Sequence, residues 1–202
     1  MPNIPAYFHI KFFQRLKGAA CNLLVLVVYV LLARVGLFFT LNHSTITIFW
    51  PAGGFALAVL LLGGLKYLPG IFFGGVASAF IALDDLWLAC MLGAADALES
   101  FIAYYLLTRK FGLNSALETL QDFFKLSLLA GGMASAFSAL IGPTALLAGN
   151  AIPPELYPAV SLRWWMGDVL GIAFITPLIL IWRNSPQGFN GKKQVFECNY
   201  SA

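Results

Sequence analysis

Charge is what this chain has least of. Of its 202 residues only 10% are Asp, Glu, Lys or Arg, where a soluble domain holds about a quarter. Hydrophobic residues make up 60% and the mean hydropathy is +0.82, which excludes a water-soluble domain and leaves an integral membrane protein. Histidine is scarce too: His9 and His43 are isolated and fall on opposite sides of the topology below, so they form no metal or haem pair. Cys21, Cys90 and Cys198 are an odd, scattered set without metal spacing, and no redox role is expected of them. Gly-rich phosphate loops, a Ser-His-Asp set and Cys clusters are missing, which speaks against hydrolase or kinase chemistry. No catalytic residue, cofactor or metal is therefore expected. The net charge of +3 is too small to point to nucleic acid.

Apolar runs are what is there. Six stretches stand out, at roughly 19–41, 49–65, 67–83, 86–108, 124–149 and 161–182. A span needs about 20 apolar residues, so the second and third are short and are read as thin helices or partly re-entrant segments. Pro51 and Pro69 are expected to set helix starts. Lys11, Arg15 and Lys17, then Lys66, then Arg109 and Lys110, then Arg183, Lys192 and Lys193 all fall on alternate connections. The others carry Asp84, Asp85 and Glu155, with Arg163 at an edge. The positive-inside rule then predicts an all-α compact bundle of about six transmembrane helices with both termini cytoplasmic.

The domain plan follows. Residues 1–18 are a basic aromatic segment, read either as an interfacial helix or as a charged flank of the first span. They precede a long span without a small-residue cleavage site, so an uncleaved first helix is expected. Residues 19–183 form the membrane domain, and 184–202 a polar cytoplasmic linker. Residues 115–125 read as an amphipathic approach to the fifth span, with Ser115 and Glu118 at capping-box spacing.

Ionisable residues inside spans are the sharpest signal. Asp168 lies about two turns into the last span, where a charge costs about 3 kcal/mol on the mildest scale. Arg34 lies in the first span, and Asp96 and Glu99 are three apart in the fourth, on neighbouring parts of one face. Two readings stand. In one, Arg34 pairs with one acid and the rest are protonated or meet hydroxyls such as Ser100, Thr176 or Tyr104. In the other, the four line an outward cavity and read a ligand or the external pH. Trp50, Trp87, Trp164 and Trp165 sit near the outer boundary, as an interfacial belt or as a cavity mouth. Small residues at spacings of four (Gly70, Gly74 and Ser78; Gly131, Ser135 and Ala139; Gly167 and Gly171) are read as helix-packing rows. WPAGG and WWMGD look alike, but the match is too short to be a repeat.

Four segments in order, IFWPAGGFALAVLLLGG, KYLPGIFFGG, GAADALESFIAYYLL and RWWMGDVLGIAFITPLILIW, resemble the first class of bacterial membrane-associated sensor (MASE) domains from about residue 20 to 183. Trp-Pro-x-Gly and Trp-Trp-x-Gly-Asp with a later proline are the most specific parts; Ala52 stands where the family commonly has a second proline. The resemblance implies a sensory module of the bacterial inner membrane that serves a cytoplasmic PAS, diguanylate cyclase, phosphodiesterase or histidine kinase domain. It supplies a role in cyclic di-GMP or kinase signalling and no chemistry. The expected partners are the lipid bilayer, that output domain, and a small ligand or proton, with a homodimer open to it. The candidate sensing set is Arg34, Asp96, Glu99, Asp168, Trp50, Trp164 and Trp165. Two other readings remain: a substrate-binding membrane subunit of a vitamin-type uptake transporter, and an anchoring and dimerisation scaffold without ligand.

Overall fold

The computed structural model describes residues 6–39, 47–115, 117 and 119–184. His43, Glu118 and the 185–202 linker lie outside the described residues. Helix α1 runs Ala6–Leu37, α2 Pro51–Gly63, α3 Leu68–Leu83, α4 Leu86–Tyr105, α5 Leu120–Lys125, α6 Ser135–Ala148 and α7 Tyr157–Asn184. A π-helical stretch, Leu126–Ala134, joins α5 and α6 into one rod. Five rods are long and apolar enough to cross a membrane, and α2 is the shorter sixth. The basic aromatic residues 7–17 lie within α1.

Local chemistry sets the ends. Pro51 opens α2 at its first turn, where a missing N–H costs nothing. Gly64, at φ 81°, turns the chain out of α2 in a conformation that favours glycine. Asp84 closes α3 in the left-handed region, which Asp tolerates, and the Asp85 side chain accepts the Leu88 N–H to cap α4. Thr119 caps α5, accepting from Asp122 N and donating to Asp122 Oδ2. Thr119 and Asp122 thus form the cap of α5; the expected pairing of Ser115 with Glu118 involves a residue outside those described.

Helix directions follow from which residues meet. Asn22 bridges α1 to the start of α3: Gly70 N donates to its Oδ1 at 2.8 Å, and its Nδ2 donates to Lys66 O at 3.0 Å. Gly74 lies against Tyr29 further along, so α1 and α3 run parallel. Trp50 N donates to Gly167 O at 3.0 Å and Thr176 Oγ1 to Gly54 O at 2.8 Å, so α2 and α7 run parallel. Leu88 meets Gly149 while Glu99 meets Ser135, so α4 and α6 are antiparallel.

The shortest helix is central. At 1.5 Å per residue α2 is about 20 Å long, against a hydrocarbon core of about 30 Å. Its residues Pro51–Gly54, Ala56–Ala58 and Leu60 are buried, packed among α1, α4 and α7. A helix apolar all round is stable only when enclosed. Lipid is as apolar as leucine, so these contacts are held by close packing of small residues, not by expulsion of water.

Candidate functional site

The first carboxyl group, Asp96 on α4, is 8% exposed and faces α1 and α3. Tyr29 Oη donates to its Oδ2 at 2.6 Å. Gly75 on α3 makes room for it, since a Cβ there would stand 2.9 Å from Asp96 Oδ2. One turn on, Glu99 is 3% exposed and turns to α6, where Ser135 Oγ donates to its Oε1. Asp168 on α7 is 1% exposed; its Oδ1 lies beside Gly53 of α2, and its Oδ2 is buried with no hydrogen-bond partner. It stands in the field of both Glu99 and Asp96. The hydroxyls that meet the acids are therefore Tyr29 and Ser135, whereas Thr176 is spent on the Gly54 carbonyl.

A cavity of about 430 Å³ opens beside these groups. Asp96, Asp168, Arg34, Trp50 and Trp164 all line it, among apolar walls from Leu37, Ala79, Leu92 and Leu146. It lies at the end of the bundle that carries the α1–α2, α3–α4 and α6–α7 connections. Two members of the sequence-derived set are elsewhere. Glu99 sits behind Asp168 against Ser135, and Trp165 Nε1 donates to Gly132 O at 3.0 Å, on the π-helical stretch that precedes α6.

Arg34 shares the cavity but makes no ion pair with a described acid. Among the described residues the ion pair present is Lys125–Asp122, at 3.9 Å and far from the cavity. A carboxyl–guanidinium pair thus does not account for these acids. The glycines of the small-residue rows meet neighbouring helices at unequal distances. A Cβ on Gly70 would stand 2.6 Å from Asn22 O, one on Gly74 2.8 Å from Tyr29 Cβ, and one on Gly167 2.9 Å from Thr47 O. One on Gly171 would stand 2.0 Å from Trp50 O, but one on Gly131 only 3.7 Å from Val169. Ser135 acts through its hydroxyl. The two look-alike motifs, WPAGG and WWMGD, face one another across α2 and α7.

Tyr29, Gly75 and Ser138 are site residues that sequence reasoning passed over. Trp164 Nε1 donates to Ser138 Oγ at 3.0 Å, which fixes one cavity-lining indole. Gly142 lets that ring in, since a Cβ there would be 2.6 Å from Trp164 Cζ2. A tyrosine within an apolar span and a serine within a small-residue row look like packing until their partners are known. Tyr29→Phe keeps the ring and strips Asp96 of its donor. It is expected to lower stability by about 1–3 kcal/mol, read by thermal unfolding in detergent, with unchanged membrane insertion.

The arrangement suits binding better than catalysis. Among the described residues no group of three or more His, Cys, Asp or Glu side chains has the placement to hold a metal ion. Buried carboxyl groups beside a cavity can take up protons, a cation or a hydrogen-bond donor. The MASE1 family pattern matches residues 21–200. Comparison with curated proteins and with solved structures finds no match. The match covers most of the chain and includes every cavity-lining helix, so this multi-pass inner-membrane protein belongs to the MASE1 family of membrane-associated sensor domains.

Proposed function

We propose that the chain reads a periplasmic signal at the acidic cavity and passes it to a cytoplasmic diguanylate cyclase, phosphodiesterase or histidine kinase. The observation that carries this is Asp168: a buried carboxyl oxygen without a partner, on the wall of a cavity. Groups like this are costly in a membrane domain unless something uses them. Lys66, Arg109, Lys110 and Arg183 lie at the opposite end from the cavity connections, which supports a periplasmic opening and a cytoplasmic end for α7.

The same helix supplies the route. From Asp168 to Asn184, α7 continues as one helix through Pro177, for about 24 Å. A displacement where Gly167 and Gly171 meet Trp50 is delivered at its far end as a shift or rotation. Occupancy moves such an equilibrium only by its differential affinity for the two states. In the chain joined to its output domain, Asp168→Asn is expected to cut the signal-dependent change in output at least ten-fold, with equal protein in the membrane. A normal response in that variant refutes the reading.

A further inference from the structure

We propose that the cavity binds a protonated primary or secondary amine, its N–H groups on Asp168 and its carbon body along Trp50 and Trp164. This rests on the sensory reading of the cavity and gives its ligand a chemistry.

The unmet acceptor comes first. Asp168 Oδ2 is buried without a hydrogen-bond partner, while the nearby donors of Tyr29, Ser135, Trp164 and Thr176 serve Asp96, Glu99, Ser138 and Gly54 O. A ligand N–H can supply the donor that no described side chain places there. The wall is the second observation. Two carboxyl groups and two indoles line one cavity, and aromatic rings with acids hold ammonium groups by cation–π attraction and charge. A cation held between these two carboxyl groups favours their ionised form against the cost of burial. Size is the third: about 430 Å³ falls within the roughly 300–1,000 Å³ of small-molecule sites. A quaternary ammonium carries charge but no N–H, an alcohol a donor but no charge, and a carboxylate is repelled. A protonated amine with N–H groups answers all three features. A free amine and the amino headgroup of phosphatidylethanolamine share this chemistry.

The test uses the full chain in nanodiscs of phosphatidylglycerol, titrated at neutral pH while tryptophan fluorescence is followed. The probes are hexylamine, hexyltrimethylammonium, hexanol and hexanoate. Hexylamine is expected to saturate with a Kd at least ten-fold below the other three. Asp168→Asn is expected to abolish that preference, and Asp168→Glu to retain it, with helical content unchanged in both. Equal affinity for hexanol and hexylamine, or no saturable change with any probe, overturns the proposal. Discs containing phosphatidylethanolamine separate the sources: apparent hexylamine affinity falls at least ten-fold if the lipid is the occupant and holds if a free amine is. Amine binding that Asp168→Asn abolishes while output still responds leaves the ligand class standing and refutes the sensory reading. Absent amine selectivity with output silenced by Asp168→Asn does the reverse.

Discussion

Gly171→Ala is expected to leave little folded protein. A Cβ on Gly171 would stand 2.0 Å from Trp50 O, and one on Gly54 would stand 2.1 Å from Gly171 O. Both obstacles are backbone atoms, so no rotamer change relieves them. The helices must separate, and with them the hydrogen bonds from Trp50 N to Gly167 O and from Thr176 to Gly54 O. Overpacking of this kind costs about 3 kcal/mol or more, well above the roughly 1 kcal/mol that alanine gains over glycine in a helix. Gly54→Ala should behave alike. Gly131→Ala is the contrast: its Cβ would meet Val169 at an ordinary 3.7 Å, so stability should be unchanged or slightly higher. Thermal unfolding of the three variants in detergent reads the order directly.

The second large effect concerns Glu99. Its side chain is buried against α6 and held by Ser135 Oγ. Ser135→Ala removes the donor and leaves a buried carboxyl group with less to meet it, at an expected loss of about 1–3 kcal/mol. Adding Glu99→Met should return most of that loss, because removing both partners removes the desolvation cost as well. The double variant should thus be more stable than Ser135→Ala alone. Additive losses would mean that the pair is not a unit and that Glu99 is satisfied by other groups.

Much of the architecture was legible because membrane spans declare themselves by length and apolarity. The six stretches correspond to the six rods, and Pro51 opens α2 as its position implied. The shortness of the second stretch was legible as well, but not its meaning; the third, read as short too, belongs to a 19-residue rod, Leu65–Leu83, long enough to cross, because the turn residues Leu65–Tyr67 continue into α3. Uniform Gly, Ala and Leu composition says that a helix is enclosed; it does not say that α2 is enclosed by α1, α4 and α7. The acids were found because charge is rare here, and Asp96 and Asp168 do share one cavity. Their partners were not found. Pairing Arg34 with an acid follows from charge alone, whereas the donor to Asp96 is Tyr29, 67 residues away, a contact that only the tertiary arrangement creates. Asp96 and Glu99, on neighbouring parts of one face, turn to different helices for the same reason. The Thr119–Asp122 cap of α5 was not read from the sequence, although the two residues stand at the spacing of a helix N-terminal cap.

The proposed outward opening of the acidic cavity is tested most directly by sided chemical access. In a background with the native cysteines replaced by serine, Asp168→Cys and Ala82→Cys place a thiol at the floor and at the exposed wall of the cavity. Intact cells are treated with a small, membrane-impermeant cationic thiosulfonate. Both thiols are expected to be modified from the periplasmic side without permeabilisation. Modification of neither, or only after the inner membrane is opened, would contradict an outward cavity and with it the sensing role assigned to Asp168.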